Sequence, residues 1–253
     1  MFTQAIVRKP CPAIVDGLSS GNLGKPDYQL ACQQHQQYIE ALKTCGLQVT
    51  ILDGDNRYPD STFVEDTALL TPNCAIITNP GAPSRRGEIK EMSRVLTDHY
   101  QYIEFIKSPG TVDAGDIMVV GSHYYVGTSE RTNKEGANQV IKILEKYGLT
   151  GSPVHLRDVL HLKTGVAYLE KNTLLAAGEF IDKEEFTGFN IIPIKDDEAY
   201  AANSIWVNDV VIMPSGYPKT QTAIEEAGYK ILTVDTSEFR KVDGGVSCLS
   251  LKF

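Results

Sequence analysis

The sequence predicts an α/β fold built from repeated small modules, and three observations predict it. One order of local signals recurs: a short apolar strand, a tight turn, a second strand, a glycine, a helix and a further strand. The order appears about four times at a spacing near ~45 residues, the range of radially repeated architectures. A polar residue or cluster stands just before each copy. An ordinary open α/β sheet is the alternative, but a doubly wound sheet alternates single strands with helices, and here hairpins intervene.

Taken in order, Ala5-Ile6-Val7-Arg8 reads as an opening strand. Residues 9–26, rich in Pro, Gly, Ser and Asp, read as a loop containing Val15-Asp16-Gly17-Leu18. A loop of this length in a compact domain is usually functional, and a lid is expected here. Asp27 is a candidate N-cap for a helix through Leu42, with Leu30, Ala31, Tyr38 and Leu42 near helical spacing, and Gly46 stops it. Leu47–Leu52 is a strand. The first full copy runs Thr67–Thr71, turn Pro72-Asn73, Cys74–Thr78, Gly81, a helix from Arg86 to Thr97 and a strand over Tyr102–Ile106. The second runs Ile117–Val120, turn Gly121-Ser122, Tyr124–Val126, Gly127, a helix from Lys134 to Tyr147 and a strand over Pro153–Leu156. A shorter third copy covers Gly165–Leu169, Lys171-Asn172, Thr173–Ala177 and Gly178. The fourth covers Ser204–Val207, turn Asn208-Asp209, Val210–Met213, Gly216, a helix from Lys219 to Ala227 and the strand Lys230–Val234. The N-terminal helix and strand, with a strand over Val246–Phe253 that carries Cys248, make a fifth.

The chain has 253 residues, enough for a large core, and is expected to form one domain over 1–253. Its 42% hydrophobic and 22% charged content is that of a soluble globular protein. The net charge of −8 argues against nucleic acid or an anionic membrane as partner and permits a small cationic substrate. No apolar run reaches the ~18 residues of a membrane span, and the N-terminus lacks the pattern of a signal peptide. Cys11, Cys32, Cys45, Cys74 and Cys248 are widely spaced, with no CxxC pair. That usage fits a reducing, cytoplasmic setting and gives no zinc pattern.

The polar groups before each copy carry the chemistry. They are Asp60, Glu65 and Asp66 before the first, Asp113-Ala-Gly-Asp116 before the second, His161 before the third and Asn203 before the fourth, with Cys248 on the last strand. Each has a bland reading: loop carboxylates, a structural turn, a satisfied core histidine, an inert buried thiol. Together, three acids would repel one another unless a cation neutralises them: a guanidinium or ammonium substrate, a metal, or a local arginine such as Arg57, Arg85 or Arg86. Arg85 and Arg131, each just before a helix, suit bidentate pairing with a carboxylate. Nucleotide-binding, serine-hydrolase and zinc-protease motifs are absent from the sequence. A thiol, a histidine and acids remain, the set needed for thiolate chemistry without a cofactor.

The stretches DNRYPDSTFVED, GAPSRRGE, GTVDAGDIM, SERTNKEGA, HLKTGVAYLE, AANSIWVN and KVDGGVSC resemble the dimethylarginine dimethylaminohydrolases, from Ile6 to Phe253. The resemblance implies a five-bladed α/β propeller (pentein) and hydrolysis of methylated arginines to citrulline and an amine. It implies Cys248 as nucleophile, His161 as general acid/base and Asp113 as the acid that orients it, at a position where the family carries Asp or Glu. Asp60 and Asp66 would hold the guanidinium, with Glu65 beside them in the substrate site, Arg85 and Arg131 the α-carboxylate, and Leu18, in the lid loop, and Val242 the amino end. It further implies no metal or cofactor, a methylated-arginine substrate and a homodimer. The rivals are an arginine deiminase, a guanidinium-binding module without turnover, and a structural protein with an inert thiol.

Overall fold

The computed structural model describes residues 1–157 and 159–253. Along the chain run β1 (Gln4–Arg8), α1 (Tyr28–Thr44), β2 (Gln48–Leu52), β3 (Ala68–Leu70), β4 (Ala75–Ile77), α2 (Ile89–Leu96) and β5 (Ile103–Phe105). Then come β6 (Ile117–Val120), β7 (His123–Thr128), α3 (Lys134–Lys146), β8 (Thr150–His155), α4 (Leu162–Gly165), β9 (Val166–Tyr168), β10 (Thr173–Ala177) and β11 (Asn190–Ile194). The chain closes with β12 (Ile205–Val207), β13 (Val210–Pro214), α5 (Pro218–Glu226), β14 (Lys230–Val234), α6 (Ser237–Arg240) and β15 (Leu251–Lys252).

These strands form five three-stranded sheets: β15-β1-β2, β3-β4-β5, β6-β7-β8, β9-β10-β11 and β12-β13-β14. In each, the middle strand pairs antiparallel with the first and parallel with the third. The parallel step needs a crossover, which is why a helix follows the hairpin in most modules. The hairpin turns follow local chemistry. Asn208 and Asp209 both take positive φ, the type I′ geometry of a two-residue hairpin. The Asn208 side chain also accepts from the amide of Phe2 at 2.8 Å and donates to the carbonyls of Phe2 and Cys45.

The chain divides into two compact units, Met1–Val64 with Gly165–Phe253, and Glu65–Thr164. The first contains three of the sheets and two apolar clusters. One cluster joins Val7, Tyr38, Leu42, Phe63, Phe239 and Val246; the other joins Leu169, Leu175, Val211, Met213 and Ile224. The second unit contains the β3-β4-β5 and β6-β7-β8 sheets around Ile76, Ile117, Tyr124, Val126, Val140 and Leu144.

Helix α1 begins where its cap predicts, with Asp27 accepting from the amide of Leu30 at 2.9 Å. Its buried stripe is Ala31, Gln34, His35, Tyr38, Ile39, Ala41 and Leu42, whereas Leu30 is exposed. Leu30 lies one residue off that face, and the polar Gln34 and His35 sit on it. Helix α3 starts at Lys134 under the cap of Asn133, which accepts from the amide of Gly136 at 2.8 Å. Helix α2 starts at Ile89 rather than Arg86, because Pro83–Arg85 forms a separate tighter turn. Gly127 lies within β7 and does not end it.

Two further features of the modules have clear causes. The third module has no α-helix between β10 and β11; short 3₁₀ turns at Gly178–Phe180 and Glu184–Phe186 fill the connection. That segment buries Phe180 and Phe186, their rings 6.3 Å apart, in place of a helix face. The final strand is shorter than its alternating pattern suggested. Ser247–Leu249 is a helical turn, and only Leu251–Lys252 pairs as β15. Asn203 takes the amide of Ser247 on its side-chain oxygen at 2.8 Å, which removes that donor from any ladder.

Candidate active site

The modules share a local device. A helical turn precedes the first strand of each: Val64–Thr67 before β3, Ala114–Asp116 before β6, α4 before β9, Asp196–Ala202 before β12 and Ser247–Leu249 before β15. Glu65, Asp66, Asp113, Asp116, His161, Asn203 and Cys248 sit on or beside these turns, which explains why they occur at repeating positions.

In the unit Glu65–Thr164, the turns gather a buried ionic cluster. Asp66 accepts from Arg85 Nη1 at 2.5 Å and from the amide of Gly115 at 3.0 Å. Arg85 holds Glu88 with two bonds, Nε to Oε1 at 3.0 Å and Nη2 to Oε2 at 2.8 Å. Burial opposes both charges, but the charges of His161 and Arg85 hold Asp66 below its ordinary range, and those of Glu88 and Asp66 hold Arg85 well above its own. Asp113 is fully buried; its Oδ2 accepts from His161 Nε2 at 3.1 Å and its Oδ1 from the amide of Gly81 at 2.9 Å. A Cβ on Gly115 would lie 2.8 Å from Asp66 Oδ1 and 3.1 Å from His161 Nδ1, so the glycine of Asp-Ala-Gly-Asp lets these groups close.

The electrostatic consequence falls on His161. Burial works against its charge, yet the field of Asp66, the hydrogen bond it donates to Asp113 and the charges of Asp116 and Asp113 outweigh it and push the imidazole up to about 9. His161 is therefore an imidazolium at neutral pH. Ligating atoms of Asp66, Asp113 and His161 lie within 4.8 Å of one another, a spacing that suits a metal. The donor set does not: Asp66 is neutralised by Arg85, and a protonated imidazole is no ligand. Nearby, Glu65 accepts from Lys163 at 2.6 Å. Arg131 differs from Arg85: among the described residues its guanidinium has no ion pair or hydrogen bond, and its backbone amide donates to Ser129 Oγ at 3.0 Å. Arg57 pairs with Asp55 at 2.6 Å and Arg86 donates to the Pro80 carbonyl, whereas Arg85 meets Asp66.

In the other unit, Cys248 lies half-buried in the Ser247–Leu249 turn, packed against the apolar cluster of Phe63, Phe239 and Val246. Its amide donates to the Gly245 carbonyl at 3.2 Å. Asn203 clamps the turn from the side, donating to Ser247 Oγ at 3.1 Å. The Gly-Gly pair serves close packing: a Cβ on Gly244 would strike the Phe63 ring, and one on Gly245 would lie 2.5 Å from Asn203 Oδ1. Tyr200 donates to the Gly244 carbonyl at 2.8 Å. Asp60 accepts from the amide of Leu18 at 2.9 Å. The rest of that loop is tied to the segment after α6: Ser19 donates to the Lys241 carbonyl at 2.8 Å, and the amide of Ser20 donates to Asp243 Oδ2 at 2.5 Å. Leu18 is exposed and Val242 buried within this arrangement.

In the second unit the structure thus brings together His161, Asp113, Asp66 and Arg85, and pairs Glu65 with Lys163. In the first it brings together Asp60, Leu18 and Val242, with Cys248 on its own turn. Sequence reading missed Glu88, Lys163, Ser129 and Tyr200 as partners. Glu88 was legible in principle, since it lies three residues from its partner in Arg85-Arg-Gly-Glu88, whereas the partner of Lys163, Glu65, is 98 positions away. His123, at the start of β7, lies between Thr150 Oγ1 at 2.8 Å and Ser152 Oγ at 2.9 Å.

The family model described as N,N dimethylarginine dimethylhydrolase, eukaryotic, matches residues 24–251. An N(G),N(G)-dimethylarginine dimethylaminohydrolase of Pseudomonas aeruginosa is 59% identical over 254 aligned positions, covering 100% of both chains. The chain belongs to the dimethylarginine dimethylaminohydrolase family. A dimethylarginine dimethylaminohydrolase of Streptomyces coelicolor is 33% identical over 98% of this chain and 96% of that protein. Among solved structures, a Cys→Ser variant of the Pseudomonas aeruginosa enzyme complexed with citrulline superposes with a TM-score of 0.99, at 59% identity over 100% of both chains. A His→Gly variant carrying an adduct with S-methyl-L-thiocitrulline gives the same values. The N-terminal domain of the cyanobacterial arginine dihydrolase ArgZ shares the fold at a TM-score of 0.91 and 19% identity, over 100% of this chain and 97% of that one. The five-module α/β fold is thus that of the dimethylarginine dimethylaminohydrolases. Among the described residues, no helix is long and apolar enough to cross a membrane.

Proposed function

We infer that the chain hydrolyses Nω,Nω-dimethyl-L-arginine and Nω-methyl-L-arginine to L-citrulline and dimethylamine or methylamine. The observation that carries this is the end-to-end match, at 59% identity, to an enzyme of that name, one structure of which holds citrulline.

The roles we propose follow from the groups present. Asp60, Asp66 and Glu65 hold the substrate guanidinium cationic and oriented. Arg131, whose guanidinium is uncommitted among the described residues, takes the α-carboxylate together with Arg85. Leu18 and Val242 offer backbone groups to the amino end. Cys248 attacks as a thiolate: the S–C bond forms and the C–N bond to dimethylamine breaks, while the His161 imidazolium, oriented by Asp113, gives its proton to the departing nitrogen. The product on the enzyme is an S-alkylthiouronium. Water then adds to its carbon, one proton returns to His161, and the S–C bond breaks to release citrulline and the thiolate. The amine takes up the second proton of that water. A His161 held protonated at neutral pH supports its part as the acid of the first step. The thiol and imidazole supply nucleophile, acid and base, so the reading assigns no metal or cofactor. The reading takes residues 1–253 as one catalytic domain acting in the cytoplasm, as a homodimer.

The deciding test is citrulline formation by purified protein from asymmetric dimethylarginine and from arginine, side by side. Citrulline from the methylated substrate is expected. Citrulline from arginine alone would make the chain a deiminase, and tight methylarginine binding with no product would make it a binding module.

A further inference from the structure

We propose that Asp116 is a positioning residue that holds His161 and Arg131 in one frame. Its carboxylate is fully buried on the turn before β6. One oxygen, Oδ1, accepts from the amide of Leu162, the residue after His161, at 3.0 Å. The other, Oδ2, accepts from the hydroxyl of Ser129 at 2.7 Å. Ser129 Oγ in turn accepts the amides of Arg131 at 3.0 Å and Thr132 at 3.1 Å. The hydroxyl of Thr132 accepts the amide of Asp113 at 3.1 Å, and Asp113 Oδ2 takes His161 Nε2 at 3.1 Å. The bonds close a ring through Asp113, His161, Leu162, Asp116, Ser129 and Thr132, all within the unit Glu65–Thr164.

A ring of this kind fixes relative position in a way that single bonds do not. The backbone of His161 is set through Leu162 and its ring through Asp113, while the turn carrying Arg131 is set through Ser129. Reacting groups displaced by about 1 Å cost on the order of 100-fold in rate, so a buried carboxylate bridging two such segments matters without touching substrate. The oxygens of Asp116 take the Leu162 amide and the Ser129 hydroxyl, whereas Asp113 takes the imidazole itself, which separates their parts. Asp116 also acts by charge. The titratable groups that face His161 are Asp66, Asp113 and Asp116, and all three favour the imidazolium against burial. Burial pushes the carboxyl of Asp116 itself up to about 6, so it carries its charge at neutral pH.

The inference rests on the roles proposed above for His161 and Arg131, and the experiment separates the two. Asp116→Asn keeps an acceptor for Leu162 and removes both the charge and the acceptor of the Ser129 hydroxyl. In the folded variant, kcat on dimethylarginine should fall by at least about 10-fold, and His161, followed by NMR of its imidazole, should titrate below its wild-type value. Ser129→Ala leaves the Leu162 bond in place and frees the Arg131 turn; KM should rise about 10-fold while kcat changes by less than about 3-fold. A folded Asp116→Asn with wild-type kcat and an unmoved His161 titration overturns the proposal. If Asp116→Asn does not fold, Ser129→Ala decides, and an unchanged KM overturns it. If wild-type protein forms no citrulline, the functional reading fails, while the His161 titration still decides whether Asp116 sets the imidazole.

Discussion

Asp113 and His161 form a buried pair, Oδ2 to Nε2 at 3.1 Å, in which the acid is anchored from behind by the amide of Gly81. The pair does more than orient a ring. With Asp66 and Asp116 it outweighs burial and pushes His161 up to about 9, against 6.5 for the unperturbed group. A base whose pKa is raised on folding adds stability that is complete below its unfolded pKa and lost as pH rises through the folded value. Wild-type protein should therefore melt above a His161→Asn variant at pH 6, with the difference shrinking from about pH 6.5 and gone above about 9. The same imidazolium is the acid of the first step, so kcat should decline on the alkaline side as His161 deprotonates. A constant melting difference from pH 6 to 10 would refute the charge assignment.

Cys248 lies on a turn fixed by Asn203 and the Gly-Gly pair, so its hydroxyl analogue should fit without strain. Cys248→Ser is expected to keep the wild-type circular dichroism and lose at least about 10³-fold in turnover, since a serine hydroxyl is a far weaker nucleophile than a thiolate. Citrulline should still bind the variant. Turnover within 10-fold of wild type would remove Cys248 from the mechanism.

The modules were legible because each hairpin and its turn is written locally. Asn208-Asp209 adopts the positive φ that such a pair favours, and Asp27 and Asn133 start their helices as caps. The special positions were legible as well, since polar residues interrupt an apolar pattern where each copy begins. Long-range competition was not legible. The alternation of Val246–Phe253 reads as a strand, but a side chain over 40 positions away, Asn203, claims the amide of Ser247 and leaves a turn. β11 was invisible because no helix precedes it. In the site, the residue types were readable while their partners were not: nothing local says that Arg85 rather than Arg57 neutralises Asp66, or that Glu65 pairs with a lysine at the far end of its unit.

Asp66 and Asp60 are both proposed to hold the guanidinium, but they should respond differently to substitution. Asp66→Ala leaves Arg85 buried with one of its two anionic partners gone. Breaking a buried pair costs about 3–5 kcal/mol, so stability and KM should both suffer. Asp60 instead accepts from a backbone amide, that of Leu18, at 2.9 Å. Asp60→Asn, which keeps an acceptor for that amide, should raise KM for dimethylarginine with little change in melting temperature. Urea denaturation alongside steady-state kinetics separates the two, and equal stability losses would contradict the assignment.

His35 makes the opposite prediction to His161. It lies on the buried face of α1, its Nε2 enclosed and without a partner among the described residues, its ring 6.4 Å from that of Phe239. Burial, helped by the charge of Lys9, pushes its pKa down to about 4. A base whose folded pKa is lowered binds protons more readily when unfolded, so stability is kept above the unfolded value near 6.5 and lost as pH falls towards 4. Fully developed, the loss is about 3 kcal/mol. His35→Leu, of similar volume and without a proton to bind, should flatten the acid limb of stability between pH 6.5 and 4 while leaving citrulline formation at neutral pH unchanged. Chemical denaturation at pH 7, 5.5 and 4.5 on both proteins measures this directly, and parallel acid limbs would show that His35 does not set the acid sensitivity of its unit.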